Sequence, residues 1–486
     1  MQNNKEIALL PVDNRPVSYL LPKQIGEFAG IDLNLPDRHK LGDLQNSSDL
    51  TYIDGWINSL NSDSCLILSL DNWVYGGLVQ SRKHSSSLEE LKKRVSGLLK
   101  INKFAKYGFG SIMRIPDYNN SDEEKDYWEK YGEKIHKWSK LTHLVGTGIK
   151  EEYKTHDDLI ETWYQSTKKI PVEILTSYKS HRDINFSINM LWLDSLHKKS
   201  FNYLIFSSDD SSKYGLNVVE SEYLDKEIKK HHFESIAKVI SGTDEIPLVL
   251  LTKAQIEITK LKPKISINFT DIDGANQIAR YESNTIKFSV LNQLEVLNIE
   301  ITEPDKSDIS LIVHLSGSGQ GDHIFNIKPG DTKKSAEKII NFLKTSEKPF
   351  IITDLAHANG ADPILINSLI NSEINWDQCY GYSGWNTCSN TIGSALSIGI
   401  NRWIAEKKNI FNKTAFKKCL ITRFLDDYAY QTEIRGLKKS EKEINDLMKE
   451  YVQKFSTMLG LDNISTECSL PWKRSFEIEI EFINVI

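Results

Sequence analysis

FNYLIFSSDDSSKYG, residues 201–215, is an apolar run that stops on two adjacent aspartates, Asp209 and Asp210. It then turns through Ser211 and Ser212 toward a helical stretch. A short apolar run ending in a polar tip reads as a strand buried on both faces, and such strands belong to parallel sheets covered by helices. Two carboxylates at one strand end repel each other. A metal, an Arg or Lys, a shared proton or water must offset that cost.

The same unit recurs on either side as EIALLPVD, SCLILSLD, GFGSIMRIPD, THLVGTG, VEILTS and IAKVISGTDE, with a weaker IDLNLPD between the first two. Amphipathic stretches such as SLEELKKRVSGLLKINKFA and SDEEKDYWEKYGEKIHKWSK lie between them. Roughly eight units in roughly 250 residues suit a closed β/α barrel. An open, doubly wound parallel sheet has the same periodicity. After about Lys260 the pattern restarts with DISLIVHLSGS, KPFIITDLAHANGAD and DQCYGYSGWN. The expected fold is therefore α/β. A barrel-like or doubly wound domain over residues 1–260 carries the site. A smaller α/β domain covers 261–387, and a helix-rich region over 388–486 ends in a strand, RSFEIEIEFINVI. No internal repeat is visible.

Bulk properties narrow the function. At 486 residues the chain exceeds one ordinary core. Its net charge of -6, without a basic block, argues against a nucleic-acid partner. No apolar run is long enough for a bilayer, and MQNNKEIALLPVDNRP lacks the regions of a signal peptide. The expectation is a cytoplasmic protein without a membrane partner. The five cysteines are scattered and lack CxxC spacing, which argues against a disulfide framework or zinc knuckle. Neither a phosphate-binding GxxxxGK[ST] loop nor HExxH is present. No cofactor is expected; a divalent metal enters only in the alternative below.

In parallel α/β folds ligands bind beyond the carboxyl ends of the strands. The tips carry Asp13 and Arg15, Asp71, Asp117, Asp209 and Asp210, Asp244 and Glu245, Asp322 and His323, Asp354 and His357, Asn359 and Asp362, and Trp385 and Asn386. Asp also caps helices and makes turns, which is the bland reading of any one of them. Their concentration favours chemistry. Asp209 and Asp210 suit a proton donor and its orienting partner, with Asp71 assisting. Asp13, Arg15, Arg82, Asn359, Asp362 and Asn386 are candidate substrate contacts. Trp73, Tyr75 and Trp385 offer flat faces for a sugar ring. Alternatively, Asp209, Asp210, Asp354 and His357 could ligate a divalent cation. Cys388 has no His paired with it in sequence, so a Cys nucleophile is not expected.

PVDNRPV, SLDNWVYGGLVQSR, SSDDSSKYG, GTDE, ARYES, DLAHANGAD, YSGWNTCSNTIG, RFLDDYAYQ and LPWKRSFEI occur in this order. Together they resemble the bacterial family catalogued as domain of unknown function 4127, over nearly the whole chain. The resemblance implies that these positions belong together and implies no reaction. SSDD at a strand end also resembles glycoside hydrolases of the O-GlcNAcase type, which are barrel enzymes. The function expected is a carbohydrate hydrolase of glycosidase type acting on a small sugar substrate. The alternatives are a metal-dependent hydrolase and a non-enzymatic sugar-binding protein.

Overall fold

The computed structural model describes residues 5–485. Six strands form the first sheet: β1 (Ile7–Leu10), β2 (Leu33–Asn34), β3 (Cys65–Ser69), β4 (Ala105–Ile112), β5 (Tyr203–Ser208) and β6 (Ala237–Ser241). All are parallel, in the order β2-β1-β3-β4-β5-β6. The sheet is open, so the doubly wound arrangement holds and the barrel does not form. Two expected strands are helical. THLVGTG is the end of the helix Trp128–Thr147, which stops on left-handed Gly148 (φ 72°). VEILTS opens the helix Val172–Ser195, where Val172 faces solvent. Short apolar runs do not by themselves separate a strand from one helical turn.

The second sheet holds β7 (Lys264–Phe269), β8 (Glu300–Ile301), β9 (Ile309–His314), β11 (Phe350–Asp354) and β13 (Cys379–Ser383). Two short strands, β10 (Gly321–Asp322) and β12 (His357–Ala358), pair separately at its tips. Its order, β13-β11-β9-β7-β8, is parallel throughout. Each sheet places its second strand outside its first. The same winding thus occurs twice in a chain whose sequence displays no repeat.

Two helices separate the sheets. Ile246–Thr259 packs against β3 and β4, Cys388–Lys407 against β11 and β13, and the helices pack on each other. Helices apolar all round are buried all round. Leu248, Val249, Leu250 and Leu251 are fully buried, each contributing about 1.5–3 kcal/mol. Glycines set the spacing of the second layer. A Cβ on Gly381 of β13 would lie 2.6 Å from the Ala395 carbonyl oxygen and 3.2 Å from the Gly399 nitrogen. Gly381→Ala is expected to lower stability by about 1–3 kcal/mol in urea unfolding, because backbone must shift to admit the methyl.

The C-terminal region runs from the helix Lys413–Arg423 directly into a π-helical stretch, Phe424–Ile434, then into the helix Glu441–Leu459. It ends in an antiparallel hairpin, β14 (Ile464–Ser469) and β15 (Glu479–Val485), rather than a lone strand. Arg38 holds Glu479 through two bonds of 2.6 and 2.7 Å, tying the hairpin to the first sheet. Among the described residues no helix is long and apolar enough to cross a membrane.

Candidate active site

Carboxyl-end loops of both sheets converge on one cleft of about 710 Å³, completed by the segment between β14 and β15. β1 delivers Asp13 and Arg15. Asp13 accepts from the Arg15 backbone N–H (3.0 Å) and from its Nε (2.7 Å), and Pro16 then starts the helix. After β3, Gly76 and Gly77 take φ of 89° and 149°, which lets the chain turn tightly and brings Arg82 round to the cleft. β4 delivers Arg114 and the loop carrying Tyr118 and Glu123; β5 delivers Asp209 and Asp210; β6 delivers Asp244. Ala279–Glu282, Ile324, Phe325, Asn359 and Asn386 come from the second half, and Trp472, Arg474 and Phe476 from the hairpin segment.

Carboxylates and guanidinium groups alternate along one wall. Arg15 binds Asp244 (2.5 Å) and Glu477 (3.2 Å). Arg474 joins Glu477 (2.8 Å) to Glu123. Glu123 accepts from Arg82 and Arg114, both at 2.8 Å. Arg82 reaches Asp209 at 2.9 Å, and Arg114 reaches Asp210 at 2.7 Å and Glu124 at 2.9 Å. This answers the question raised by the adjacent aspartates. Each has its own arginine, Asp209 paired with Arg82 and Asp210 with Arg114. Burial and then the neighbouring Asp209 push Asp210 up to about 7, although Arg114 and Arg82 pull the other way. About a third of the Asp210 side chain, 32%, remains open to the cleft. Burial likewise raises Asp244 to about 6, helped by Asp13 and Asp209 and opposed by Arg15. For Glu123 burial acts upward, but Arg114, Arg82 and Arg474 together hold it well below the usual range.

Eight acidic side chains line the cleft against five arginines. The balance is negative even with Asp210 protonated, and most of the arginines are already engaged by carboxylates. An anionic ligand would have to displace those partners. A neutral or cationic ligand would not.

Of the residues expected from sequence, the cleft gathers Asp13, Arg15, Arg82, Asp209, Asp210, Asn359 and Asn386, together with the strand-tip residues Asp117 and Asp244. Asp71 is elsewhere. β3 runs straight into the helix Leu70–Tyr75, which turns Asp71 back to accept the Ser111 N–H at 2.8 Å, buried, with its carboxyl raised to about 6 by burial. Trp73 packs between helices, its indole N–H donating to the Arg94 carbonyl (2.9 Å) while the Arg94 guanidinium lies 4.7 Å over the ring. Tyr75 stacks on His84 at 4.8 Å. Trp385 is buried edge-on behind Phe476. The aromatic surfaces that face the cleft are instead Tyr118, Tyr281, Phe325, Trp472 and Phe476.

The proposed four-residue metal set does not assemble. Asp354 accepts the Asp362 N–H (2.7 Å), Asp362 bonds His314 (2.8 Å) and caps the helix Pro363–Ile370, and His357 stacks on His323 at 4.1 Å. These residues do not line the cleft that holds Asp209 and Asp210. Among the described residues no group of three or more His, Cys, Asp or Glu side chains is disposed to hold a metal ion.

Sequence reasoning missed Arg114, Glu123, Tyr281, Arg474 and Glu477. Arg114 and Tyr281 lie inside the quoted GFGSIMRIPD and ARYES strings, and Arg474 and Glu477 inside LPWKRSFEI. The position of the hairpin segment was not readable, because it is set by distant contacts: Gln431 donates to the Phe476 carbonyl (3.0 Å), Tyr430 to that of Ser475 (2.8 Å), and Trp472 to Asn14 (2.7 Å). Asp427 of the same π-helical stretch accepts from the Gly384 N–H (2.7 Å) and the Ser383 hydroxyl (3.1 Å), so RFLDDYAYQ braces the tip of β13.

Residues 7–481 match the family described as "Protein of unknown function (DUF4127)". No curated protein and no solved structure matches the chain.

Proposed function

The chain belongs to the DUF4127 family, and we propose that its cleft hydrolyses a glycosidic bond in a small neutral or amino-bearing sugar. One arrangement carries this reading: two adjacent carboxyls at a strand end open onto one cleft, Asp209 held by Arg82 and Asp210 pushed up to about 7 by burial and then by Asp209. Glycoside hydrolysis needs a proton for the departing oxygen and negative charge beside the oxocarbenium-like centre. Asp210 supplies the first and Asp209 the second. The negative lining favours a substrate without an acidic group, and Trp472, Phe325 and Tyr118 offer faces for the apolar side of a sugar ring.

The pH dependence follows from the donor role. Asp210 must be protonated to act, and it loses its proton as pH rises through about 7. On aryl glycosides that the chain turns over, kcat/KM is expected to fall about tenfold per pH unit above that point. A profile still rising at pH 9 would remove Asp210 from the donor role.

A further inference from the structure

The glycosidase reading leaves the group that attacks the anomeric carbon unassigned. We infer that it is the Tyr281 hydroxyl, with Asp322 as the base that takes its proton. This rests on that reading and deepens it.

Tyr281 lines the cleft, and its backbone is in the left-handed region at φ 63°. Its carbonyl accepts from the Ser211 N–H at 2.9 Å, the residue immediately after Asp210, which is itself left-handed at φ 36°. The second half of the chain therefore plants Tyr281 beside the proton donor of the first half. Asn359 and Asn386 also line the cleft in the left-handed region, at φ 59° and 60°, joined by an N–H to carbonyl bond of 2.7 Å. Non-glycine residues keep such conformations only where surrounding contacts impose them, and they concentrate at functional sites.

The Tyr281 hydroxyl donates to Asp322 Oδ2 at 2.5 Å. Asp322 is wholly buried and does not line the cleft, so it meets substrate only through Tyr281. Its other oxygen accepts from the Ile324 N–H (2.8 Å) and Phe325 N–H (3.2 Å), and the Asn359 amide lies 3.3 and 3.5 Å from its two oxygens. A fixed carboxylate bonded to the hydroxyl of a side chain that lines the cleft is the arrangement of an activated nucleophile. Burial, then the bond to Asp322 and the charge on that carboxylate, hold the phenol neutral at rest. The base must therefore take the proton as the new bond forms.

In the first step the Tyr281 oxygen bonds to the anomeric carbon as the bond to the departing oxygen breaks. The phenolic proton passes to Asp322 and the Asp210 proton to the leaving group. In the second step water attacks the anomeric carbon, giving its proton to Asp210. The bond between the anomeric carbon and the Tyr281 oxygen breaks, and Asp322 returns the proton to Tyr281. Water is the sole co-reactant, and the anomeric configuration is retained.

The test uses the full chain and a panel of 2,4-dinitrophenyl 2-deoxy-2-fluoroglycosides, read by intact mass and peptide mapping. The expected result is one fluorosugar adduct on Tyr281, absent in Tyr281→Phe. Turnover of ordinary aryl glycosides by Tyr281→Phe and by Asp322→Asn should fall by at least about a hundredfold in kcat with little change in KM. The mapped adduct on wild type needs no variant to fold. An adduct on an Asp or Glu, or wild-type turnover by Tyr281→Phe while Asp210→Asn is inactive, overturns the assignment alone. No turnover of any glycoside overturns the parent reading with it.

Discussion

Asp210→Asn is expected to lower kcat/KM by about a thousandfold on glycosides whose leaving group needs protonation, such as methylumbelliferyl or alkyl glycosides. The amide keeps the shape and has no acidic proton to give. The loss should shrink to a few-fold on dinitrophenyl glycosides, because their phenolate leaves without a proton. This dependence on the leaving group separates a proton donor from a residue that merely shapes the cleft, which would affect all substrates alike. The fold should survive, since Arg114 can still donate to the amide oxygen in place of Asp210 Oδ2. Equal losses on both leaving-group classes would contradict the donor role.

Arg15→Ala is expected to have the largest effect on stability. Arg15 is 4% exposed and binds three carboxylates: Asp13, Asp244 and Glu477. Removing a buried charge leaves its partners unpaired, at a cost of about 3–5 kcal/mol. The sign of its pH dependence is fixed by Asp244. Burial pushes that carboxyl up to about 6 in the folded chain, with Arg15 pulling it down. Without Arg15 it rises further. A group raised on folding lends stability at low pH and withdraws it as pH climbs toward the folded value. The defect measured by urea unfolding should therefore be smaller at pH 5 than at pH 8. Arg15→Lys should recover part of the loss, because it restores the charge but not the forked contacts to Asp13 and Asp244. A defect below about 1 kcal/mol at pH 8 would mean that water, not Arg15, balances these carboxylates.

The sequence made the strand tips legible because buried parallel strands are continuous apolar runs, and an Asp ending such a run lies near the carboxyl edge. Asp13, Asp209 and Asp210 reached the cleft for that reason. The same rule failed where the chain did not stop at the tip. After β3 it entered a helix at once, and Asp71, Trp73 and Tyr75 turned away from the edge. THLVGTG and VEILTS were misread because a single apolar turn of helix has the length of a short strand. The two missing strands account for the open sheet in place of a barrel. β7, in KISINF, is not a continuous apolar run, because its residues alternate in polarity, with Asn268 exposed between the partly buried Ile267 and Phe269. The partners of the aspartates were beyond local reading. Arg474 meets Glu123 across most of the chain, and only the winding of two sheets against one hairpin brings them together.

The most direct measurement is release of the aryl group from a panel of nitrophenyl glycosides at pH 6, with neutral, amino and acidic sugars, by wild type and Asp210→Asn side by side. The account predicts hydrolysis of a neutral or amino sugar by wild type, none of the acidic ones, and release cut by orders of magnitude in the variant. The same rate from both proteins, or preference for an acidic sugar, would contradict it.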